Sequence, residues 1–349
     1  MKPRSKTILT LIALALAALV LVWGETNLDN FTKSILTLAG INVVLTLSLN
    51  LINGFTGQFS LGHAGFMALG AYTTALLSMP PEVKAMNFFS TPLWGPLQNI
   101  YLPFIVALIA SGVVATIFGL IIGYPVFRLK GDYLAIATLG FAEVIRVVLV
   151  NAKSITNGAL GLKGIPPTTN LIWAWGVAIF VVIFVMRLIN SSYGLALKTI
   201  NGDEIASEAM GVSLFNHKMM SFGISAFFAG VGGGLLGGLL GTVDPAQFNF
   251  LLTFNVLLIV VLGGMGSITG SVVGALGITV IMEWLRFVES PITIGSLYIP
   301  GVPGMRMVIF SIALIMVILF YQKGFLGDKE ITWEGIFGLF GRKRGSEVS

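Results

Sequence analysis

Two pairs of ionisable side chains interrupt otherwise apolar runs with the same spacing, Glu143 with Arg146 and Glu283 with Arg286. An ionisable group inside a bilayer is disfavoured by about 2.5–3.5 kcal/mol on insertion scales, so it faces protein or a water-filled path. Residues three apart share a helix face, and each pair can therefore close on its own helix. Two roles fit this pattern: complementary charge along a polar path for a zwitterion, or ion pairs that fix helix packing. A second polar set, Asn50, Asn53, Gln58, Ser60 and His63, surrounds a glycine-marked interruption at 54–65. Backbone exposed at such a break is a further candidate for a translocation path. Close packing is the commoner use of small-residue faces, and a lone histidine is more often structural than a ligand.

The segment from Gly194 to Gly211, GLALKTINGDEIASEAMG, is polar between long apolar runs. Asn201 followed three residues later by Glu204 resembles a capping box, and Gly211 suits the left-handed end of a helix. Between them Ile205, Ala206, Ala209 and Met210 form one apolar stripe, with Glu204 and Glu208 four apart on another face. Like charges at that spacing repel by a few tenths of a kcal/mol, so the acidic face gains from a partner groove carrying Arg or Lys. Without such a groove it is a solvated loop helix. Lys198 and Asp203 complete this candidate docking surface.

Other chemistries lack their residues. There are no cysteines, and His63 and His217 stand 154 positions apart, which offers no metal-ligand spacing. A phosphate loop needs Gly-x4-Gly-Lys-Ser/Thr, whereas Lys6-Thr7, Lys153-Ser154 and Lys198-Thr199 all lack the glycine before the lysine. The chain is therefore expected to be no enzyme and to carry no cofactor or metal of its own. If ATP drives it, a separate subunit binds the nucleotide.

The elements that must position these residues are membrane helices. With 56% hydrophobic and 10% charged residues and a mean hydropathy of +0.93, much of the apolar surface must lie in lipid. On a ruler of about 20 residues per crossing, ten candidate spans fall at 7–23, 34–53, 63–79, 101–127, 132–150, 171–190, 218–241, 250–265, 270–288 and 304–322. The first reads as a retained helix, since its small-residue triplets come too early for a cleavage site. The eighth, ending at Gly263-Gly264-Met265-Gly266, either spans or re-enters. With the N-terminus inside, 13 of the 20 Lys and Arg residues fall on the cytoplasmic side, so both termini are expected there. The fold expected is an all-α polytopic bundle forming a single transmembrane domain over 1–349. It has a cytoplasmic loop at 191–217, a cytoplasmic tail at 323–349, and the 80–100 and 151–170 loops outside. The net charge of +5 sits at membrane flanks and tails, as positive-inside anchoring requires, rather than in a nucleic-acid patch. Gly54-x-x-Gly57 and Gly263-x-x-Gly266 imply an internal shift of 209 and the Glu-x-x-Arg pairs one of 140, so no common repeat emerges.

Several blocks carry a family resemblance. Glu208-Ala209-Met210-Gly211 within the polar segment resembles the coupling loop of ABC importer permeases. The runs from Asn53 to Phe66 and from Arg128 to Phe141, Gly161 to Pro166, and Val261 to Gly270 are similar to the branched-chain amino acid permease family, and within it to LivM-like subunits. These blocks occur in order over roughly 35–320. The resemblance implies one permease subunit of a bacterial or archaeal cytoplasmic-membrane importer for leucine, isoleucine and valine. It implies as partners a LivH-like second permease, LivG-like and LivF-like ATP-binding subunits, and an extracytoplasmic substrate-binding protein. Lys153, Lys163 and Gly164 in the outside loop are the docking candidates for that last partner. A urea or short-amide importer, an ion-coupled carrier using Glu143 and Glu283, and a membrane-embedded enzyme are the alternatives; the carrier leaves the capped acidic loop unexplained, and the enzyme lacks a clustered nucleophile or metal set.

Overall fold

A computed structural model describes residues 3–89, 91–128, 133–289, 292–294, 297–299, 304–320 and 330, and it is almost entirely helical. In chain order the helices are α1 (Pro3–Asn27), α2 (Asn30–Asn50), α3 (His63–Ser78), α4 (Pro81–Asn87), α5 (Gly95–Gln98), α6 (Phe104–Val126), α7 (Tyr133–Asn151) and α8 (Lys153–Thr156). They continue with α9 (Leu171–Ile189), α10 (Ser192–Gly202), α11 (Glu204–Ala209), α12 (Leu214–Leu240), α13 (Phe250–Gly263), α14 (Ile268–Trp284) and α15 (Met305–Phe320). Strands β1 (Leu162–Lys163) and β2 (Thr242–Val243) pair antiparallel, as do β3 (Ile292–Ile294) and β4 (Leu297–Ile299). The 323–349 tail, apart from Glu330, and the Leu129–Asp132 part of the second sequence block lie outside the described residues.

Short polar side chains start many of these helices by accepting an N–H that has no partner within the helix. Asp29 accepts from Thr32 (3.1 Å), Asn170 from Trp173 (2.9 Å), Asn249 from Leu251 (2.9 Å) and Ser267 from Gly270 (2.9 Å). Hydrogen bonds from the Thr32 side chain and backbone hold the Asp29 carboxyl below the ordinary carboxylate value.

Each of the ten expected apolar runs coincides with a helix. Among the described residues, five helices are long and apolar enough to cross a membrane: α2 with its continuation to Phe55, α6, α7, α9 and α12. Helix α13, at 14 residues, is about 21 Å long at 1.5 Å per residue and ends where Gly264 turns to φ +126°. It falls short of a hydrocarbon core of about 30 Å.

Burial sorts the helices into layers. The apolar windows of α2 and α12 are 78% and 72% buried, against 39%, 33% and 28% for α6, α9 and α7, so the first two form the centre and the others present a face outward. Helix α12 crosses α3 and α6 at backbone distance. A Cβ on Gly70 would strike the Gly230 backbone, and one on Gly230 would lie 2.6 Å from the Ala115 Cβ and 2.7 Å from the Ser111 carbonyl. Edge-to-face contacts of Phe222 with Phe66 and Phe127 fill the space below. Polar cross-ties fix the register: Trp175 Nε1 donates to Leu36 O (3.0 Å), Asn42 Nδ2 to Thr279 Oγ1 (2.7 Å), and Ser225 Oγ to Ser48 O (2.6 Å).

The connections gather at two opposite ends. At the cap end, Trp94 N–H donates to Ser154 O (2.9 Å), Lys163 N–H to Asn87 Oδ1 (2.8 Å) and Ile165 N–H to Gly241 O (3.0 Å). Lys84, only 1% exposed, donates to Leu97 O (3.0 Å) and Ile100 O (2.5 Å), and burial pushes its ammonium below the ordinary lysine value. At the other end lie the interruption after α2, the α10–α11 segment, and the turn between α13 and α14. There the Glu330 carboxylate accepts from Ile268 N–H (2.6 Å) and Thr269 N–H (3.0 Å).

The packing makes opposite demands on two glycines. Gly70→Val should lower the thermal midpoint of the detergent-solubilised protein, because overpacking a close helix crossing costs about 1–3 kcal/mol. Gly140→Ala, where a Cβ meets nothing within 4 Å, should leave the midpoint unchanged or raise it by the roughly 0.5–1 kcal/mol by which alanine exceeds glycine in a helix.

Candidate functional site

The interruption after α2 begins as a π-turn over Leu51–Phe55 and runs on without regular structure to Gly62. Wide turns of this kind release carbonyls from the helical ladder and recur at functional positions. The polar residues noted in sequence are brought together here and buried: Asn50, Asn53, Gln58, Ser60 and His63 are all at most 9% exposed. Their hydrogen bonds close on the protein. Asn53 Oδ1 accepts from Ser60 N–H (3.1 Å), and its Nδ2 donates to Ser60 O (3.4 Å). The Ser60 hydroxyl accepts from Gly62 N–H (3.4 Å). His63 Nε2 and the Ser48 hydroxyl are 2.9 Å apart, and that hydroxyl also reaches Leu45 O (2.8 Å). Asn50 reaches across to the α13–α14 turn, accepting from Gly266 N–H (2.9 Å) and donating to Ser267 O (3.0 Å) and Ser271 Oγ (2.7 Å).

The polar segment lies beside this interruption and differs from expectation in its caps. It forms two helices, α10 and α11, and Asp203 rather than Asn201 caps the second: its Oδ1 accepts from Ile205 N–H (2.8 Å) and Ala206 N–H (3.0 Å). Asn201 sits exposed in the last turn of α10 and donates through Nδ2 to the buried Gly54 O (2.8 Å). A tertiary acceptor has outcompeted the local capping bond. Gly211 does end the helix, at φ +83°, with Gly211 N–H to Glu208 O (2.9 Å) and Val212 N–H to Ser207 O (3.1 Å) forming a Schellman motif.

Glu204 is held within the chain, accepting from Gln58 Nε2 (3.1 Å) and pairing with Lys218 Nζ (2.7 Å). Glu208, Lys198 and Ala209 are exposed. The apolar stripe faces outward, with Ile205 82% and Met210 84% exposed.

The two Glu/Arg pairs close as their spacing requires, each on itself. Arg146 Nε meets Glu143 Oε2 at 2.7 Å on α7, and Arg286 Nη1 meets Glu283 Oε1 at 2.8 Å where α14 gives way to a 3₁₀ turn over Leu285–Glu289. Neither pair joins the buried cluster around Asn50. Lys153, Lys163 and Gly164 are exposed at the cap end, opposite Asn201, and the Lys163 backbone is clasped on both sides by the Asn87 amide.

Residues 31–319 match the family described as branched-chain amino acid transport system / permease component. The chain belongs to that family. Among its relatives is the high-affinity branched-chain amino acid transport system permease protein LivM of Escherichia coli strain K12, 33% identical over 310 residues that cover 79% of this chain and 68% of the relative. The probable LivM permease of Methanocaldococcus jannaschii is 24% identical over 324 residues, covering 84% and 92%. LivH of Escherichia coli strain K12 is 23% identical over 314 residues, covering 84% and 94%. No solved structure matches the chain.

Sequence reasoning about this permease missed Lys218, Ser267 and Ser271 as partners of the site. Only the opposite charge of Lys218 and Glu204 signals the first; a pairing 217 positions apart, Asn50 with Ser267, leaves no local trace.

The cap assignment has a direct check. Asp203→Ala should destabilise α11 locally by about 1 kcal/mol, seen as faster hydrogen exchange at the Ile205 and Ala206 amides with α12 amides unaffected.

Proposed function

We propose that this chain is the membrane-spanning permease subunit of an ATP-driven importer of leucine, isoleucine and valine. The match along 31–319 carries the reading, because the described substrates and transport role belong to the whole family and to relatives at both LivM and LivH. The chain crosses the cytoplasmic membrane ten times with both termini inside, α13 counting as a short crossing because the connection before it joins the cap-end loops and the turn after it meets Asn50 at the other end, and 1–349 is one permease domain. Sidedness draws support from two sources: the positive-inside count, and the mutual hydrogen bonds of loops assigned to one side, 80–103, 152–170 and 241–249.

The exposed tips Ile205 and Met210, with Glu208, Lys198, Ala209 and the turn at Gly211, form the surface that docks a separate ATP-binding subunit in the cytoplasm. Two such subunits, LivG-like and LivF-like, hydrolyse the ATP. A LivH-like second permease covers α7: Arg146 and Glu143 retain 34% and 40% side-chain exposure on a span, and a charged pair facing lipid is costly enough that protein or a water path must lie against it. An extracytoplasmic binding protein delivers substrate at the cap end, near Lys153, Lys163 and Gly164. Glu143 with Arg146, and Glu283 with Arg286, then offer complementary charge to the ammonium and carboxylate of a passing amino acid.

Reconstituted with its partner subunits, the permease should take up labelled leucine only with ATP, in competition with isoleucine and valine. Glu208→Arg should reduce both uptake and co-purification of the ATP-binding subunits by about tenfold or more, the range of a lost charged contact at a docking surface. Uptake that persists without those subunits points to a carrier instead, and transport of urea with no transport of leucine points to the short-amide class.

A further inference from the structure

Three interruptions of helical structure meet at one point, although they are far apart in sequence. They are the break after α2, the α10–α11 junction at Asp203, and the α13–α14 turn. Gly54 is at the centre. Its carbonyl accepts from Asn201 Nδ2 (2.8 Å), and a Cβ on it would strike both Asn50 Oδ1 and Gly266 N. Gly57, at φ +71°, is pressed against the same asparagine, and a Cβ there would collide with Asn201 Oδ1. Gln58 adds its bond to Glu204, which Lys218 at the start of α12 also holds. On the far side Asn50 clamps the α13–α14 turn through three bonds, to Gly266 N–H, Ser267 O and Ser271 Oγ. Asn50 is fully buried and Gly54 is buried as well, so neither group has water as a ready substitute partner.

We infer that Asn201 and Asn50 are positioning residues that make these interruptions move as one body. Displacing α10 and α11 either breaks the Asn201–Gly54 bond and leaves a buried carbonyl unpaired, or carries the break after α2 with it. The second course keeps every bond and is favoured. Because Gly54 and Asn50 bear directly on Gly266, the shift continues into the turn that ends α13. The segment proposed to dock the ATP-binding subunit is thereby wired to two broken helices inside the bundle, one of which has no contact with that segment through Asn201 itself. This assignment rests on the proposed importer reading for its role in transport, but the mechanical linkage is a property of the chain alone.

Two measurements separate the linkage from that reading. In the purified chain, Asn201→Ala should speed hydrogen exchange in a peptide covering 262–270 by about fivefold, the effect of one lost hydrogen bond passed on to a neighbour, although Asn201 bonds to Gly54 and not to that turn. Exchange unchanged there, with acceleration confined to α10 and α11, overturns the relay. In the reconstituted complex the readout is labelled leucine transported per ATP hydrolysed, which a merely structural defect leaves constant while it lowers the amount of assembled complex. Asn201→Ala and Asn50→Asp should each lower that ratio by about tenfold, within the usual span of coupling between sites. The double variant should be no worse than either single one, because both act on one path. A ratio within twofold of the unsubstituted complex, or losses that multiply in the double variant, overturns the relay. Asn201→Asp, which keeps the shape and removes the donor, gives the same decision if the alanine variant fails to accumulate. An absence of ATP-driven leucine transport in the unsubstituted complex sinks the importer reading and leaves the exchange result to decide the relay.

Discussion

A peptide group released from a helix inside an apolar bundle must find a partner within the protein, and the architecture around α2 follows from that requirement. The chain stops forming regular α-helix at Asn50 while still surrounded by packed helices. The groups freed there are met by side chains from elsewhere: Asn201 on the Gly54 carbonyl, and Asn53 on the backbone of Ser60. In return Asn50 meets the freed N–H of Gly266 where α13 ends. Each break therefore supplies what another lacks. Removing one partner leaves a buried orphan on the other, so the interruptions are stable as a set.

This mutual satisfaction coexists with a packing style that keeps the rest of the bundle close. Where Gly70, Gly230 and Gly233 let α12 approach α3 and α6 at backbone distance, dispersion between backbones replaces the hydrophobic drive that lipid cannot supply. The outer helices α6, α7 and α9 keep one face free. An almost wholly apolar groove of about 880 Å³ between α6, α9 and α12, lined among others by Trp173, Phe180, Phe227 and Phe228, lies on that periphery. Of these three, α7 carries an ion pair inside its span, Glu143 with Arg146, and this is the physical reason to look there for protein rather than lipid.

Sequence legibility followed the range of the interactions. Apolar runs located every helix proposed to span, since each run is a local statement about solvent. Gly211 as a helix terminus was also readable, because its role depends only on the adjoining turn. The N-cap was not: Asn201 and Asp203 are both short polar residues at plausible spacing, and what decides between them is the Gly54 carbonyl 147 positions away. The polar set from Asn50 to His63 was recognisable as a group, yet its partners Ser48, Ser267 and Ser271 were invisible, being ordinary serines within apolar helices or, for Ser267, at the start of one. The Glu/Arg pairs were legible as pairs because three-residue spacing is itself geometry.

The cap end has a consequence for how the protein is made. Its smallest sheet joins Leu162 to Val243, and Ile165 is held by Gly241, so the segment after α8, already clasped by Asn87 at Lys163, gains these backbone partners only when some eighty residues of later chain have been synthesised and α12 has been put in place. Asn42 waits longer still, for Thr279. The early helices therefore lack these ties until α12 and α14 are in place. A chain truncated before Val243 would contain α3, α6, α7 and α9 and still lack the β1–β2 pairing that ties the cap end together, so such a fragment is not a smaller version of the permease.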